Sequence, residues 1–246
     1  MRKLLNLIYN PELPQTSHLD LFIPEASKPR SFLLHFHGGG LEEGERGFDA
    51  ETLNTLIGQG IAVATASYRL YPEAKFPDFI TDAAAATAYI KTFIQHHYPD
   101  SLFLVGGTSA GAYLSMMLYF DQRYLARYQI KPEDIAGWMF DGGQPTVHYN
   151  VLRERGLDTR LIRVDEAAPL YYVDQRAKFA RQSKLLFILA EQDLPGRFEQ
   201  TQLLLKTMAI QQFDMSRVRL RIMPHTQHSG YPIYKAALAL SRWVAE

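Results

Sequence analysis

Short runs of unbroken apolar residues alternate along this chain with longer segments whose apolar residues recur at helical spacing. Phe32-Leu33-Leu34-His35-Phe36, Ile61 to Ala66, Leu102 to Val105, Ile135 to Phe140 and Leu185 to Ala190 each read as a strand buried on both faces. His18 to Ile23 alternates apolar with polar and stops at Pro24, which predicts an outer strand, and Val218 to Met223 alternates in the same way. Between these runs the spacing predicts helices over Phe48 to Gly58, about Pro77 to His97, Ala112 to Leu118 (fading near Arg123 to Arg127), Arg197 to Gln212, and Pro232 to Glu246. The Pro77 helix is alanine-rich in its middle, Ala83 to Ala86, which suits close packing on a sheet. The order strand, helix, strand, helix predicts an α/β fold with a mainly parallel sheet and helices on both faces.

There is no internal repeat. We expect one domain over 1–246, with 141–183 as an insert that forms at most a small or reduced cap. Within that insert, Pro145 to Val173 reads as irregular and polar with one short helix.

Charge and composition narrow the function classes. Lys plus Arg balance Asp plus Glu at 26 each, and no dense basic run stands out. Nucleic acid and anionic membranes therefore gain no electrostatic support as partners. The chain has no cysteine, which removes disulfides, thiolate catalysis and thiolate-bound metals. Met1 to Tyr9 begins like a secretion signal, but its apolar part is short, Asn6 interrupts it, and no small-x-small cleavage site follows. No apolar run approaches the ~20 residues a bilayer-spanning helix needs. The expectation is a cytoplasmic protein without membrane insertion.

The chemistry centres on Gly107-Thr108-Ser109-Ala110-Gly111, a Gly-x-Ser-x-Gly pentad between a buried strand and a helix. Such an elbow lifts a serine hydroxyl above the sheet edge and leaves the Ala110 amide near the helix start. Side chains at Gly107 or Gly111 would crowd the flanking strand and helix. A serine hydroxyl needs a base, an acid that orients the base, and donors for the oxyanion it generates. Of eight histidines, only His225 and His228 follow the last strand, and His228, deeper in its loop beside Ser229 and Gly230, is favoured. After the Leu185 strand, Asp193 is the favoured acid, Glu191 its nearest rival and Asp141 a third choice. His37-Gly38-Gly39-Gly40 follows a buried strand, so its amides and that of Ala110 can form an oxyanion hole. His37 itself reads as a structural hydrogen-bonding residue. Glu42, Glu43, Glu45 and Arg46 read chiefly as a solvated loop at the rim of that site, and most of the tyrosines in its neighbourhood (Tyr68, Tyr71, Tyr113, Tyr149, Tyr171 and Tyr172) as packing.

These motifs resemble the hormone-sensitive-lipase-like esterase group of the α/β-hydrolases. The resemblance rests on His37-Gly38-Gly39-Gly40, on the Ser109 elbow, on Tyr68-Arg69-Leu70-Tyr71-Pro72-Glu73 with Phe76-Pro77 and Asp82 behind it, and on Ala168-Pro169-Leu170. It runs from about Phe32 to the C-terminus. A Gly-Thr-Ser elbow stands where Gly-Asp-Ser is commoner, and the histidine loop differs from the group's Gly-x-His-x-Phe. The resemblance implies an α/β-hydrolase fold and a Ser109, Asp193, His228 triad. It also implies an oxyanion hole of Gly39, Gly40 and Ala110 with Gly38 close by. The expected activity is hydrolysis of small or short-acyl esters through an acyl-enzyme, with no cofactor or metal and a small-molecule ester as partner; a homodimer is compatible. Amide hydrolysis, by a peptidase or arylformamidase, and a non-catalytic binding role on the same fold are the alternatives.

Overall fold

A computed structural model describes residues 1–176 and 182–246. Eight strands are described: β1 (Arg2–Ile8), β2 (His18–Ile23), β3 (Ser31–Phe36), β4 (Ile61–Ala66), β5 (Leu102–Thr108), β6 (Gly137–Asp141), β7 (Lys184–Gln192) and β8 (Val218–Gln227). They form one sheet in the order β1-β2-β4-β3-β5-β6-β7-β8. β1 and β2 are antiparallel to their neighbours, and the other strands are parallel. The helices are α1 (Ala50–Gly58), α2 (Asp78–His97), α3 (Ala110–Phe120), α4 (Arg123–Ala126), α5 (Tyr149–Glu154), α6 (Val173–Arg176), α7 (Arg197–Ile210) and α8 (Ile233–Ala245).

The unbroken apolar runs have a direct cause. Side chains alternate between the faces of a strand, and both faces of this sheet are covered. Phe32, Leu34 and Phe36 of β3 enter the larger core with α2 and α3, while Leu33 enters the smaller core beneath α1 and α8. β6 divides likewise, with Trp138 and Phe140 on one side and Met139 on the other. Ala83, Ala84, Ala85 and Ala86 are all buried, so the small residues of α2 do bring that helix close to its neighbours. In α8, Ala236, Ala237, Leu240 and Trp243 lie on one stripe and bury it.

Two expectations change. Arg2–Ile8, for which no strand was expected, is an edge strand paired with β2, with a register shift between Leu4 and Leu7 and Asn6 at φ 56°. The shift belongs with the devices that keep sheet edges from pairing further. β8 also runs past Met223 to Gln227, so His225 sits within the strand and not in the loop after it.

The segment after β6 folds as α5, a 3-10 turn over Pro169–Tyr172, and α6. Val147, Val151, Leu152, Ala167, Ala168, Tyr172 and Val173 join the larger core, so residues 142–176 pack on the sheet domain. Of the rest of the expected insert, 177–181 lie outside the described residues, and 182 and 183 precede β7. Among the described residues no helix is long and apolar enough to cross a membrane.

Candidate active site

β5 leads into α3 through Ser109, whose φ of 56° and ψ of −111° lie outside the ordinary regions for a side-chain-bearing residue. The flanking glycines make this possible. A Cβ on Gly107 would lie 2.3 Å from the backbone carbon of Gly111, and a Cβ on Gly111 would lie 2.0 Å from the Phe36 carbonyl oxygen. Strand and helix therefore touch through bare backbone, and the hydroxyl projects from the tip.

His228 stands in a turn closed by the Gly230 amide donating to the Gln227 carbonyl at 2.8 Å. Its Nε2 is 2.9 Å from Ser109 Oγ, and its Nδ1 is 2.6 Å from Asp193 Oδ1. Asp193 also accepts from the amides of Ala190 at 2.9 Å and Leu194 at 2.8 Å. Desolvation pushes the Asp193 carboxyl pKa up, but the hydrogen bonds from His228 and the two amides outweigh it and hold the group below its usual range. An ionised acceptor facing Nδ1 fixes the tautomer with Nδ1–H, leaving Nε2 free to accept the serine proton. The rivals pair elsewhere: the His225 amide donates to Glu191 at 2.7 Å, and the His225 side chain is 93% exposed.

The glycine loop lies against the elbow. A Cβ on Gly38 would sit 3.2 Å from the Thr108 carbonyl oxygen and 3.3 Å from Ser109 Cβ. Gly39 (φ 105°) and Gly40 (φ 64°) adopt left-handed backbone, which turns the chain back over the site. The Gly39 carbonyl closes the loop by accepting from the amides of Glu42 and Glu43, both at 3.0 Å. Ala110 opens α3, so its amide has no helical carbonyl partner. The His37 ring stacks on Tyr68 with centroids 4.4 Å apart and donates from Nδ1 to the Gly38 carbonyl at 2.7 Å, the structural role expected of it. Glu42 reaches Arg153 of α5, and Arg46 reaches Asp20 and Ser67, so these charges brace the loop.

The Tyr68 segment supports that loop from behind. The Tyr68 hydroxyl donates to the His37 carbonyl at 2.9 Å. Arg69 is held by buried Asp82 of α2 through Nε at 2.8 Å, Nη2 at 2.9 Å and the Arg69 amide at 2.9 Å. Asp82→Ala is expected to cost about 2–3 kcal/mol of unfolding free energy, read from a denaturant titration, because Arg69 is left without its main partner while part of it stays solvated.

Asp141, the third candidate acid, serves a different purpose. It ends β6, is 2% exposed, and accepts from Thr108 Oγ1 at 2.8 Å through Oδ2. Thr108 in turn accepts from His35 Nε2 at 3.1 Å. Burial, then the charge of His37, lowers the His35 pKa to about 3, so the ring is neutral. Burial raises the Asp141 pKa to about 7 against the Thr108 hydrogen bond, and the nearby Asp193 charge adds to the rise. Between about pH 4 and pH 7 the folded state therefore retains a proton that the unfolded chain releases, and stability falls as pH rises through that window. Asp141→Asn is expected to flatten that decline, by on the order of 4 kcal/mol at most for three pH units, in a series of melting temperatures against pH.

Two contributors were not singled out from the sequence. Gly142 (φ 62°) lies against His228, and a Cβ there would meet its Cε1 at 2.7 Å. The Asp141-Gly142-Gly143 stop after a strand was the available signal. Tyr149, grouped only among the tyrosines, brings its hydroxyl to within 1.9 Å of where a Gly40 Cβ would be.

Residues 19–129 match the family model described as BD-FAE. A probable isoprenylcysteine alpha-carbonyl methylesterase from Oryza sativa subsp. japonica is 27% identical over 124 residues, a stretch that spans 49% of this chain and 30% of that protein. Among solved structures, a bifunctional GH43-CE protein of Bacteroides eggerthii superposes with a TM-score of 0.74 at 17% identity, covering 99% of this chain and 38% of that one. Esterase Est2 of Thermogutta terrifontis superposes with a TM-score of 0.73 at 16% identity, covering 97% and 90% respectively; the same esterase has been observed phosphoramylated by tabun. At these identities the structural likeness speaks for the fold. The mainly parallel sheet and these superpositions agree, and the chain has the α/β-hydrolase fold.

Proposed function

We propose that the chain is a serine carboxylic-ester hydrolase acting on small or short-acyl esters. The observation that carries the reading is the unbroken hydrogen-bonded line Ser109 Oγ, His228, Asp193 at 2.9 and 2.6 Å. Ser109 Oγ attacks the ester carbonyl carbon while His228 Nε2 takes its proton. The amides of Gly39, Gly40 and Ala110, with Gly38 beside them, receive the developing oxyanion; one such donor typically contributes ~3 kcal/mol to the barrier. Collapse of the tetrahedral species expels the alcohol, whose oxygen takes the proton from His228. Water then attacks the acyl-enzyme with His228 as base, releasing the acid and restoring Ser109. The whole sequence uses this chain's own groups. Residues 142–176 act as a reduced cap on a single domain, and Tyr149 over Gly40 limits the room there.

The test is a p-nitrophenyl ester series from acetate to octanoate beside the matching anilides, together with a fluorophosphonate probe. The expected result is turnover that falls as the acyl chain lengthens, weak anilide cleavage, and labelling mapped to Ser109. Absence of labelling and turnover would leave a binding role; anilide turnover exceeding ester turnover would make it an amide hydrolase.

A further inference from the structure

Three side chains at neighbouring strand ends are joined beneath the elbow. His35 of β3, Thr108 of β5 and Asp141 of β6 stand on adjacent parallel strands, and Thr108 and Asp141 are register partners. The Thr108 hydroxyl accepts from His35 Nε2 at 3.1 Å and donates to Asp141 Oδ2 at 2.8 Å. Both partners are buried, and Asp141 Oδ1 is sealed without any hydrogen bond. Among the described residues Thr108 is the side chain that holds the Asp141 carboxyl. A hydroxyl suits this place because it donates and accepts at once. A carboxylate at 108, the commoner residue before the elbow serine, would stand directly opposite Asp141 across the β5–β6 pair, where like charges are unfavourable.

Each of the three strand ends leads straight into a different part of the site. The glycine loop begins two residues after His35, at His37. Ser109 follows Thr108, and Gly142, whose Cβ would meet His228 Cε1 at 2.7 Å, follows Asp141. Backbone contacts run alongside the side-chain line. The Ser109 amide donates to the Asp141 carbonyl at 2.7 Å, and a Cβ on Gly38 would sit 3.2 Å from the Thr108 carbonyl oxygen. Ser109 itself is held at φ 56° and ψ −111°. Such a conformation persists only where the surrounding structure over-determines it. The strap from His35 through Thr108 to Asp141 is a constraint of that kind, placed one residue from the strained position.

We propose that Thr108 is a positioning residue, whose hydroxyl ties these strand ends so that Ser109, the glycine loop and His228 keep their mutual geometry. The inference rests on the esterase reading for what that geometry is used for, and on the hydrogen-bonded strap for its existence. The hydroxyl is engaged on both sides by His35 and Asp141, so it acts through Ser109 and not on the substrate. Its loss therefore slows the chemical step and leaves substrate binding nearly unchanged. A displacement of about 1 Å at the reacting atoms can cost on the order of 10²-fold in rate.

Two matched pairs of proteins isolate the hydroxyl. Wild type and Thr108→Val have nearly the same shape at 108, and so do Thr108→Ser and Thr108→Ala. With p-nitrophenyl acetate, each protein lacking the hydroxyl is expected to show a kcat about 10- to 50-fold below its partner, with KM within about threefold. Thr108→Ser is expected to rescue the rate to at least about a third of wild type. Should Thr108→Val, which leaves His35 and Asp141 facing a methyl group, fail to fold by circular dichroism, the Ser and Ala pair decides, because alanine leaves room for a water. Losses that follow side-chain size instead of the hydroxyl, or a rise in KM at constant kcat, would overturn the proposal. The second measurement needs no turnover. In proton NMR of the substrate-free protein, the low-field Nδ1–H resonance of His228 against Asp193 is expected to be sharp in Thr108→Ser and broadened or displaced in Thr108→Ala. A wild-type protein that hydrolyses no ester defeats the esterase reading while this resonance still tests the strap. Equal kcat and an unchanged resonance across the Ser and Ala pair, in a protein whose wild type hydrolyses esters, defeats the strap and leaves the esterase reading standing.

Discussion

Ser109→Ala is expected to reduce kcat/KM for p-nitrophenyl acetate by about 10⁴-fold or more, with the fold intact by circular dichroism. In the proposed reaction the hydroxyl 2.9 Å from His228 Nε2 forms the acyl bond, and alanine has nothing to replace it. His228→Ala should cost a similar factor, since Ser109 then keeps its proton. The informative comparison is the double variant. Serine and histidine act as a unit, so removing both should cost little more than removing either. Retention of more than a few per cent of activity in Ser109→Ala, or losses that multiply in the double variant, would mean that the reaction does not pass through this hydroxyl.

Gly111→Ala is expected to have a large structural effect. The added Cβ would lie 2.0 Å from the Phe36 carbonyl oxygen, 2.5 Å from its carbon and 2.6 Å from the His37 carbonyl oxygen. These are backbone atoms of the strand that carries the glycine loop, so no side-chain rotation relieves the overlap. Either α3 withdraws from β3 or the loop shifts, and both separate Ser109 from Gly38, Gly39 and Gly40. A loss of about 3 kcal/mol or more in unfolding free energy is expected, together with a fall in kcat at substrate saturation. An equilibrium denaturation curve and a kcat measurement check both parts. Gly58, around which a Cβ would meet nothing within 4 Å, is the matched control: Gly58→Ala should change stability by less than ~1 kcal/mol.

Strand and helix positions follow local rules, and the apolar runs display them. Ile61–Ala66 and His18–Ile23 are read with the same limits that the structure gives, because a strand covered on two faces, or on one, has an unmistakable period. The elbow is legible for a similar reason. Gly107 and Gly111 are local requirements of a turn between strand and helix, and they flag Ser109 from sequence alone. β1 was not legible, since its pattern is mostly exposed and its existence depends on β2 lying alongside.

What the sequence determined by itself was the layered α/β fold, the serine elbow, the glycine loop, and the short set of histidines and acids able to serve Ser109. The choice within that set was a tertiary matter. His225 and His228 are three residues apart and chemically identical, as are the carboxyl groups of Glu191 and Asp193 apart from one methylene. The continuation of β8 to Gln227 turns His225 outward to Glu191, and the turn at Gln227 to Gly230 brings His228 back over Gly142 towards Ser109. The unpaired burial of Arg197 is likewise invisible in one dimension. Whether a charge is matched depends on which elements fold over it, and that is settled only in the completed structure.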